Sequence, residues 1–392
     1  MGQADTHLGS KLKKVKTSKT PSLVGQWTGS FQATEIEGTL VIDLEELSGH
    51  TVGSVMMFPK TGSPVMVGKI WSIYAAPDRA FAAISLNPVH PQFQNLVMWE
   101  QIPQVFPNME IAKKAQAVLT WTDSKMEVHW HSDIKRQGNA SLTRNNATRP
   151  SELPTRTMNW ADYKTHVTGL PSRKYVFRGQ QKPWRLRSHF HRTGRSDLLR
   201  YTLDDLPTLH RHLSARTRHI FNRLISDENG AFLHLAQHHG FPTPLIDWTY
   251  SPFVAAFFAF RKITISDSKK RNAGHVRIFL FDQAQWRDMV VPISITAPAL
   301  PHFSLMEFLA IENERLIPQQ ALSALTNVDD VESFIDFVEK LHARRYLTAI
   351  DIPVKERETV MRELALMGIT AGALFPGLDG SCEELRERLF PT

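Results

Sequence analysis

The sequence predicts an α+β protein in which an N-terminal antiparallel β-barrel or sandwich is followed by a domain of mixed helices and strands. Residues 21–144 consist of short apolar runs separated by glycines, which is typical of strands joined by tight turns. Residues 158–392 switch irregularly between helical and strand patterns, which favours α+β over a doubly wound sheet. Residues 145–157 are rich in Asn, Pro and Arg without a hydrophobic period and predict a linker.

The positive charge of the chain is concentrated at its start. The 392 residues have a formal net charge of +7, and the polar, lysine-rich residues 1–20 predict a disordered basic tail that could contact nucleic acid weakly. The single Cys382 excludes an internal disulfide, and no apolar run is long enough to span a bilayer. These features predict a cytoplasmic protein without membrane association, and they leave its oligomeric state open.

The first half contains about eight or nine strand runs, two of which alternate cleanly between polar and apolar residues. Such alternation predicts one face in the core and one in solvent. The predicted solvent-facing sets are Val41, Asp43 and Glu45 in one run, and Glu127, His129 and His131 in the other. His129 and His131 could ligate a metal, but without an evident third ligand the spacing favours solvated side chains, and no metal site is predicted.

Tryptophans are predicted to occupy the interior of this sensing or binding domain. The five in question are Trp27, Trp71, Trp99, Trp121 and Trp130. A small barrel rich in large side chains is either filled by them or leaves a cavity for a small ligand, and the sequence leaves both alternatives open.

The segment 235–260 combines paired histidines, a Gly/Pro turn, one acidic residue and a dense apolar run. Gly240 and the prolines after it predict a helix end, which places His238 and His239 at its C-terminus. Residues 245–249 predict a buried strand carrying Asp247. Ser251 followed by Pro252 is typical of a helix start, and the apolar run after it predicts a buried helix.

The remaining elements of the second half follow from the same patterns. Helices are predicted over 158–167, 197–225, 334–342 and 355–367, and strands over 173–178, 275–281 and 345–352. Arginines and histidines cluster at 210–223, which predicts a solvated basic face or a contact for nucleic acid.

Several ordered motifs resemble the FRG domain family, which is named after a Phe-Arg-Gly motif. Residues 177–179 read FRG, residues 235–259 read LAQHHGFPTPLIDWTYSPFVAAFFA, residues 314–320 read ERLIPQQ and residues 364–385 read LALMGITAGALFPGLDGSCEEL. The resemblance covers about residues 158–390 and implies an FRG-type domain with a defence or toxin-like role. Many members carry Arg where this chain has Pro244, so an anion bound by that Arg would be held more weakly here.

Four polar residues of this region stand where burial would require a partner. Arg178 lies at a strand end and needs an anion, which could be Asp247 or a phosphate-bearing ligand. Gly179 leaves room for an approach to the backbone. Trp248 could stack on a base or fill the core, and His239 could act as a base or cap its helix. We expect Arg178, His239, Asp247 and Gln319 to line one pocket.

The order of a strand arginine, a Thr/Ser strand and a later polar strand is similar in layout to ADP-ribosyltransferase-like folds. That likeness implies that Arg178 holds a NAD phosphate and that Thr243, Thr249 or Ser251 orders a nicotinamide pocket. A late acidic residue would then stabilise the cationic ribose. Gln319 occupies the family-like position but cannot supply a full negative charge, so catalysis would need Glu312 or Glu314.

Two functions remain open at this point. The first is an enzyme acting on NAD or a related nucleotide, with no obligatory cofactor, and the second is a nucleotide- or nucleic-acid-binding module without catalysis. No phosphate-binding loop, dinucleotide glycine fingerprint or zinc-protease helix is present in the sequence. The catalytic candidates are Arg178, His239, Asp247, Glu314 and Gln319, and the ligand-binding candidates are Gly179, Thr243, Trp248, Thr249 and Ser251.

Overall fold

The first half of the chain folds into a closed antiparallel barrel. The computed structural model describes residues 21–76, 79–144 and 147–390, so the predicted basic tail lies outside the described residues. Within this part, eight strands pair in chain order and β1 closes the ring with β8, where Gly29 lies opposite both Leu40 and Leu142. The strands are β1 (Gly25–Ala33), β2 (Ile36–Leu47), β3 (His50–Pro59), β4 (Met66–Ala75), β5 (Ala80–Pro88), β6 (Lys114–Trp121), β7 (Lys125–Ser132) and β8 (Gln137–Thr143). The predicted antiparallel barrel is confirmed.

The predicted solvent-facing side chains of the barrel are exposed on β7 but buried on β2. On β7, Glu127, His129 and His131 are exposed, as their alternation indicates. On β2, Asp43 and Glu45 are buried, because this outer face of the barrel packs against the second half of the chain. Strand alternation reports which face is polar, whereas the contacts made by that face depend on the tertiary structure.

The tryptophans of the barrel do not all lie in its core. Trp27 is fully buried, and Trp121 and Trp130 pack partly buried against the same interior cluster. Trp99 lies in a short 3₁₀ helix outside the barrel wall. The sequence predicts Trp71 to be interior, but it is 60% exposed, because it directly follows the inward-facing Ile70 on β4 and strand alternation directs it outward.

The second half is built on one seven-stranded sheet. Among the described residues its order is β13-β14-β11-β10-β12-β15-β9, antiparallel except for the β15–β9 pair. The strands are β9 (Thr155–Thr157), β10 (Tyr175–Gln180), β11 (Leu245–Thr249), β12 (His275–Asp282), β13 (Phe303–Met306), β14 (Ala321–Thr326) and β15 (Leu347–Pro353). β9 is an edge strand within the predicted linker, and the α+β fold class is confirmed.

Helices of unequal length cover both faces of this sheet and the barrel's loops. They are α1 (Ile102–Val105), α2 (Trp160–Thr168), α3 (His189–Arg192), α4 (Leu198–Arg200), α5 (Leu206–Ser214), α6 (Ser226–His238), α7 (Pro252–Phe260), α8 (Ile265–Ser268), α9 (Gln283–Met289), α10 (Val331–His342), α11 (Arg357–Leu366), α12 (Ala371–Leu374) and α13 (Leu378–Leu389). None of the helices in the described part of the chain has the length and apolar character needed to cross a bilayer.

Two predicted elements of the second half are wrong. The helix predicted over 197–225 ends at Ser214, and beyond that end Thr217 Oγ1 lies 3.1 Å from the backbone oxygen of Leu213 and 2.8 Å from that of His219. The polar strand expected around Glu314 and Gln319 is a series of turns. The positive φ angles of Glu312 and Gln320 are incompatible with an extended strand there.

Helix α7 is the centre of the second half. Ser251 accepts a hydrogen bond from the backbone N–H of Val254 and Pro252 opens the helix, as predicted. Six of the nine residues of α7 are buried between the sheet and α2, α11 and α12. It crosses β10 closely at Gly179, where a Cβ atom would lie 1.9 Å from the backbone oxygen of Ala255. Gly179 is therefore needed for the packing of α7 on the sheet.

The barrel and the second half share a hydrophobic cluster and a buried polar contact. Val41, Met56 and Val67 of the barrel wall belong to the same buried cluster as residues of α3, α4 and α6. Glu45 accepts hydrogen bonds from the backbone N–H groups of Ser196 and Asp197 at 2.9 and 2.8 Å. The second half therefore packs directly on the outer face of β2 and β3.

Candidate functional site

One cleft of the second half collects most of the sequence-predicted site residues. It has a volume of about 370 Å³ and lies over β10 and β11, between the end of α6, the end of α7 and the turns before β14. We call it the arginine cleft. The side chains that decide its chemistry are Arg178, Gln180, Trp184, Arg192, His234, Gln237, His238, Asp247, Arg261, Lys262, Asn313, Arg315, Gln319 and Phe375.

Arg178 lies at the floor of the arginine cleft, but it does not form an ion pair with Asp247, which was one of the two alternatives for its partner. Its Nη1 donates to the backbone oxygen of Asp247 at 2.5 Å, whereas its buried Nε has no hydrogen-bond partner among the described residues. Burial lowers the pKa of Arg178, an effect that Asp247 partly opposes. A guanidinium held on one side with a free N–H on the other is arranged to donate to an anion.

Asp247 is less buried than its apolar strand predicts. Its side chain is 51% exposed, because it projects from β11 into the open cleft while its neighbours Ile246 and Trp248 project into the core. One carboxylate oxygen accepts from Gln237 Nε2 at 2.5 Å and lies 3.8 Å from His234 Nε2. The solvent-accessible carboxylate therefore needs no buried cation as its partner.

Arg192 and Arg315 add positive charge that no described carboxylate neutralises by a salt bridge. Arg192, at the end of α3, contacts Gln180 Oε1 at 3.3 Å. Burial and the repulsion of Arg178 and Arg187 lower the pKa of Arg192 to about 10, so it stays charged at neutral pH. Arg315 lies with its guanidinium carbon 5.1 Å from the ring centroid of Phe375, and burial lowers its pKa.

Arg261 differs from these three arginines because it is already paired. Its Nε and Nη2 both donate to the carboxylate of Glu383, and its guanidinium lies 4.0 Å from the ring centroid of Phe375. Lys262, the next residue, also lines the cleft. The cleft therefore has one neutralised cation and several that remain available to a ligand.

Sequence reasoning missed a polar face of α6 that lies beside the carboxylate of Asp247. His234, Gln237 and His238 are spaced i, i+3 and i+4, so they lie on one side of the helix and all three line the cleft. Burial lowers the pKa of His234, and burial followed by Arg315 lowers that of His238 to about 4, so both are neutral near pH 7. Asn313 Nδ2 lies 2.9 Å from His234 Nδ1, which favours the tautomer with a proton on Nε2.

Three predicted candidates border the cleft without a free polar group facing it. The polar groups of Gln319 and Thr249 are hydrogen-bonded within the protein, and the indole of Trp248 is buried. Thr249 Oγ1 donates to the backbone oxygen of Gln319 at 2.7 Å, and Gln319 Nε2 donates to Leu374 O at 2.9 Å. Trp248 is buried against Phe281 and Phe303, so its ring fills the core. The half-exposed aromatic surface at this cleft belongs to Trp184.

Four candidates lie outside the arginine cleft. His239 is exposed at the end of α6. It points to a different side of the helix from His238, which lines the cleft. Thr243 is buried, where its hydroxyl donates to Gln237 Oε1, and Ser251 caps α7. Glu314 is exposed on the turn before β14. The expected single pocket therefore contains Arg178, Asp247 and Gln319 but not His239.

The exposed Glu312 is also absent from the cleft. Its carboxylate accepts from the backbone N–H of His219 at 2.6 Å and so fastens the segment after α5. Asp247 is thus the carboxylate that lines the cleft among the described residues. No group of three or more His, Cys, Asp or Glu side chains in the described ranges is arranged to hold a metal ion. The site offers guanidinium donors, one carboxylate and neutral histidines.

Comparison with solved structures returned small β-barrels. They include a redesigned β-barrel called mFAP1, solved bound to DFHBI, which is 14% identical and covers 31% of this chain and 94% of that chain with a TM-score of 0.21. A second redesigned β-barrel is 14% identical, covering 32% and 92% with a TM-score of 0.22. A de novo designed fluorescence-activating β-barrel is 12% identical, covering 31% and 93% with a TM-score of 0.21.

These scores are too low to support a conclusion about function. No curated protein sequence matches the chain. A family model, however, matches residues 173–268, which run from the start of β10 to the end of α8 and include Arg178, Arg192, His234 and Asp247. By that match, the second half of this protein carries an FRG domain.

Proposed function

We propose that the arginine cleft binds a nucleotide-type anion. The observation that carries this proposal is the convergence of Arg178, Arg192 and Arg315 on one cleft without a salt bridge to any described carboxylate. Burying like charges together is unfavourable, because each guanidinium loses hydration and repels the others. A bound anion would remove part of this cost, which is the usual reason for such an arrangement in a folded protein.

The rest of the cleft supports a nucleotide over a bare phosphate. Trp184 offers a half-exposed ring on which a base could stack. Asp247, Gln237 and the neutral His234 supply acceptors and donors suited to ribose hydroxyls. A volume of about 370 Å³ lies within the usual range for small-molecule sites. A phosphate, a sugar and a base would each meet a chemically matching part of the wall.

Whether the ligand is cleaved depends on Asp247. An oxocarbenium-like ribose needs a nearby negative charge, and Glu312 and Glu314 lie outside the cleft. Asp247 is available for that task because it is half exposed and close to His234. The second candidate function is therefore cleavage of NAD with Asp247 as the stabilising carboxylate. The predicted sensor–effector arrangement, with a defence or toxin-like role, would place this activity under the control of the barrel.

Binding is tested by titrating the full chain with NAD, ADP-ribose and uncharged adenosine in a calorimeter. We expect the two phosphate-bearing ligands to bind more tightly than adenosine, with affinities that fall as salt is added. Arg178→Ala should weaken their binding by roughly 10- to 100-fold, the loss expected for hydrogen bonds to a charged group. The matched control is Arg156→Ala, on the exposed edge strand β9. Equal affinities for wild type and Arg178→Ala would contradict the proposal.

Cleavage is tested separately by following nicotinamide release from NAD. If Asp247 stabilises the developing cation, Asp247→Asn should abolish release while the affinity for NAD changes by less than about fivefold, because the amide keeps the size and one acceptor. Binding without any release by the wild type would identify a binding module. Release that persists in Asp247→Asn would show that another residue acts.

A further inference from the structure

The interior of the barrel contains a cavity that is separate from the arginine cleft. It has a volume of about 100 Å³ and an almost wholly apolar wall. We call it the barrel cavity. Close-packed protein interiors have few voids larger than a water molecule, so a space of this size inside an eight-stranded barrel needs an explanation. The explanation lies in the side chains that face inward on β5 and β6.

Small residues leave this space open on one side of the barrel. Ala82 of β5 and Ala115 and Ala117 of β6 all line the cavity, whereas the facing strands contribute Leu40, Ile42 and other large residues. The next residue along β5, Ala83, faces outward and is exposed. The inward alanines therefore set the volume of the cavity, and the outward alanine provides a natural control for changing it.

The barrel is closed at one end and accessible at the other. At the closed end the buried Trp27 donates from Nε1 to Leu23 O at 2.9 Å, and the Arg144 guanidinium carbon lies 4.4 Å from the Trp27 ring centroid. At the other end the cavity is bordered by Pro64 from the β3–β4 connection and Arg136 from the β7–β8 turn. A blind apolar cavity with a polar rim is the usual form of a small-molecule site.

One polar group in the wall has no partner. Trp130 of β7 lines the barrel cavity, and its indole nitrogen is buried without a hydrogen-bond acceptor among the described residues. An indole N–H can only donate, and leaving a buried donor unpaired is unfavourable. A ligand with an acceptor atom would satisfy it, whereas a wholly apolar ligand would not.

We propose that the barrel cavity binds a small, uncharged, apolar molecule, one ring or a short alkyl chain in size, that carries one hydrogen-bond acceptor for Trp130. The size follows from the volume: a dry apolar cavity of about 150 Å³ accommodates benzene, so a cavity of about 100 Å³ takes a molecule no larger than benzene. The ligand is expected to be uncharged because the cavity wall offers it no charged partner. The ionisable side chains at the cavity, Glu110 and Arg136, belong to the loops beyond the strands and not to the interior. A five-membered cyclic ketone has the required size and chemistry.

The test uses cyclopentanone and methylenecyclopentane, which share ring, shape and size but differ in the acceptor oxygen. Both should raise the melting temperature of the full chain and give saturable heats in calorimetry. Cyclopentanone should bind about tenfold more tightly, which is the effect of one net hydrogen bond. Trp130→Phe should abolish this preference while methylenecyclopentane still binds. A preference for cyclopentanone that persists in Trp130→Phe would overturn the assignment of the acceptor.

The location is tested with neighbouring alanines that point to opposite faces. Ala82→Leu fills the cavity and should abolish both melting shifts, whereas Ala83→Leu on the outer face should keep both. Far-ultraviolet circular dichroism checks that each variant is folded, and Ala117→Val is the milder alternative if Ala82→Leu does not fold. Absence of binding by the wild type, or equal responses of the inward and outward variants, would overturn the proposal.

Discussion

Gly179 and Arg178 are adjacent in the sequence and have different tasks. Arg178 presents its guanidinium to the arginine cleft, whereas Gly179 brings β10 against the backbone of α7 at Ala255 and Ala259. The sequence suggested that this glycine leaves room for a ligand. The structure shows that α7 packs against Gly179, which also borders the cleft, so the Phe-Arg-Gly motif combines a cleft-facing arginine with a packing glycine.

This difference predicts the effect of adding one methyl group. Gly179→Ala should lower the free energy of unfolding by about 1–3 kcal/mol, because the new Cβ would overlap the backbone of α7 and the helix would have to move. Gly169→Ala is the control, since its nearest neighbour would lie 3.5 Å from the added atom and its φ angle is ordinary for alanine. Urea unfolding of both variants measures the difference. Equal stabilities would show that α7 shifts at no cost.

At the scale of elements, the histidines of α6 show how helical geometry selects a site residue. His234, Gln237 and His238 recur at i, i+3 and i+4, which the sequence displays openly. The predicted candidate His239 lies about 100° further round the helix from His238. Arg315 lies in the quoted motif at 314–320, and Arg192 ends the FRG-like run FRGQQKPWRLRSHFHR that begins at residue 177, so both are within reach of sequence reasoning. Arg261 carried no such signal.

The segment between α9 and β13 has no regular structure and is fastened by side chains. His302 Nε2 lies 2.9 Å from Ile295 O, and Asn327 Nδ2 donates to Ala299 O and Leu300 O at 3.0 Å. The carbonyl contact requires a proton on His302 Nε2, and Ser304 Oγ lies 3.0 Å from Nδ1. Ser304 Oγ accepts from the backbone N–H of Ile293 at 2.8 Å, and its hydroxyl can donate to the unprotonated Nδ1 of the neutral ring. Burial removes water from a charged ring, so this segment favours a neutral histidine.

That preference predicts acid sensitivity. Burial lowers the pKa of His302 from 6.5 to about 4. Below pH 6.5 the unfolded chain binds a proton that the folded chain does not, so stability is lost as pH falls from about 6.5 to about 4, by up to about 3 kcal/mol. Chemical unfolding at pH 7 and pH 4.5 should show a smaller loss for His302→Gln than for wild type.

The comparison needs a control because other groups titrate in the same range. Burial also lowers the pKa of His191 to about 3, which adds to the loss. Burial and Asp197 raise the pKa of Asp43. Its protonation therefore favours the folded state as pH falls and opposes the loss of stability that the histidines cause. These contributions are common to wild type and both variants. His275→Gln, at an exposed strand end, should lose as much stability as wild type, and an equal loss in His302→Gln would contradict the assignment.

At the scale of the whole molecule, the contact between barrel and FRG domain is centred on Glu45. Its carboxylate accepts two backbone N–H groups and faces Arg195 and Arg200, while Ser54 donates to Asp197 at 2.7 Å beside it. An apolar cluster shared by both halves surrounds this polar centre.

Neighbouring glutamates of β2 test the contact. Glu45→Gln should lower the free energy of unfolding by about 1–3 kcal/mol, since the amide cannot pair with Arg195 and Arg200 as a carboxylate does. Glu46→Gln, on the exposed next position, should leave stability unchanged within about 0.5 kcal/mol. Calorimetric melting of the two variants decides. Equal melting curves for Glu45→Gln and Glu46→Gln would mean that the barrel does not stabilise the second half through this contact.

The linker prediction leads to a separate experiment. Residues 145–157 should be cut first in limited proteolysis, because the exposed β9 pairs with β15 over only three residues. The two fragments should nevertheless elute together on gel filtration, held by the contact around Glu45. First cleavage elsewhere would contradict the division at 145–157. Separate elution would mean that the contact is weaker than its burial indicates.

Local pattern determined much of this protein without any structure. Alternation and glycine spacing predicted an antiparallel barrel or sandwich, Ser251 and Pro252 predicted the start of α7, and the ordered motifs around residues 177–179 and 235–259 resembled the FRG domain that the family model matches. These signals are short-range, since each depends on residues within a turn or two of one another. They place elements along the chain but do not say what each face will touch.

The tertiary structure decided which faces meet. The polar face of β2 became buried because another part of the chain packs on it, and Asp247 stayed half exposed because β11 borders a cleft. Glu314 fell outside that cleft because its segment turns instead of forming a strand. Arg261 entered it from the far end of α7. Contacts between residues distant in sequence are set by packing of whole elements, which no local pattern contains.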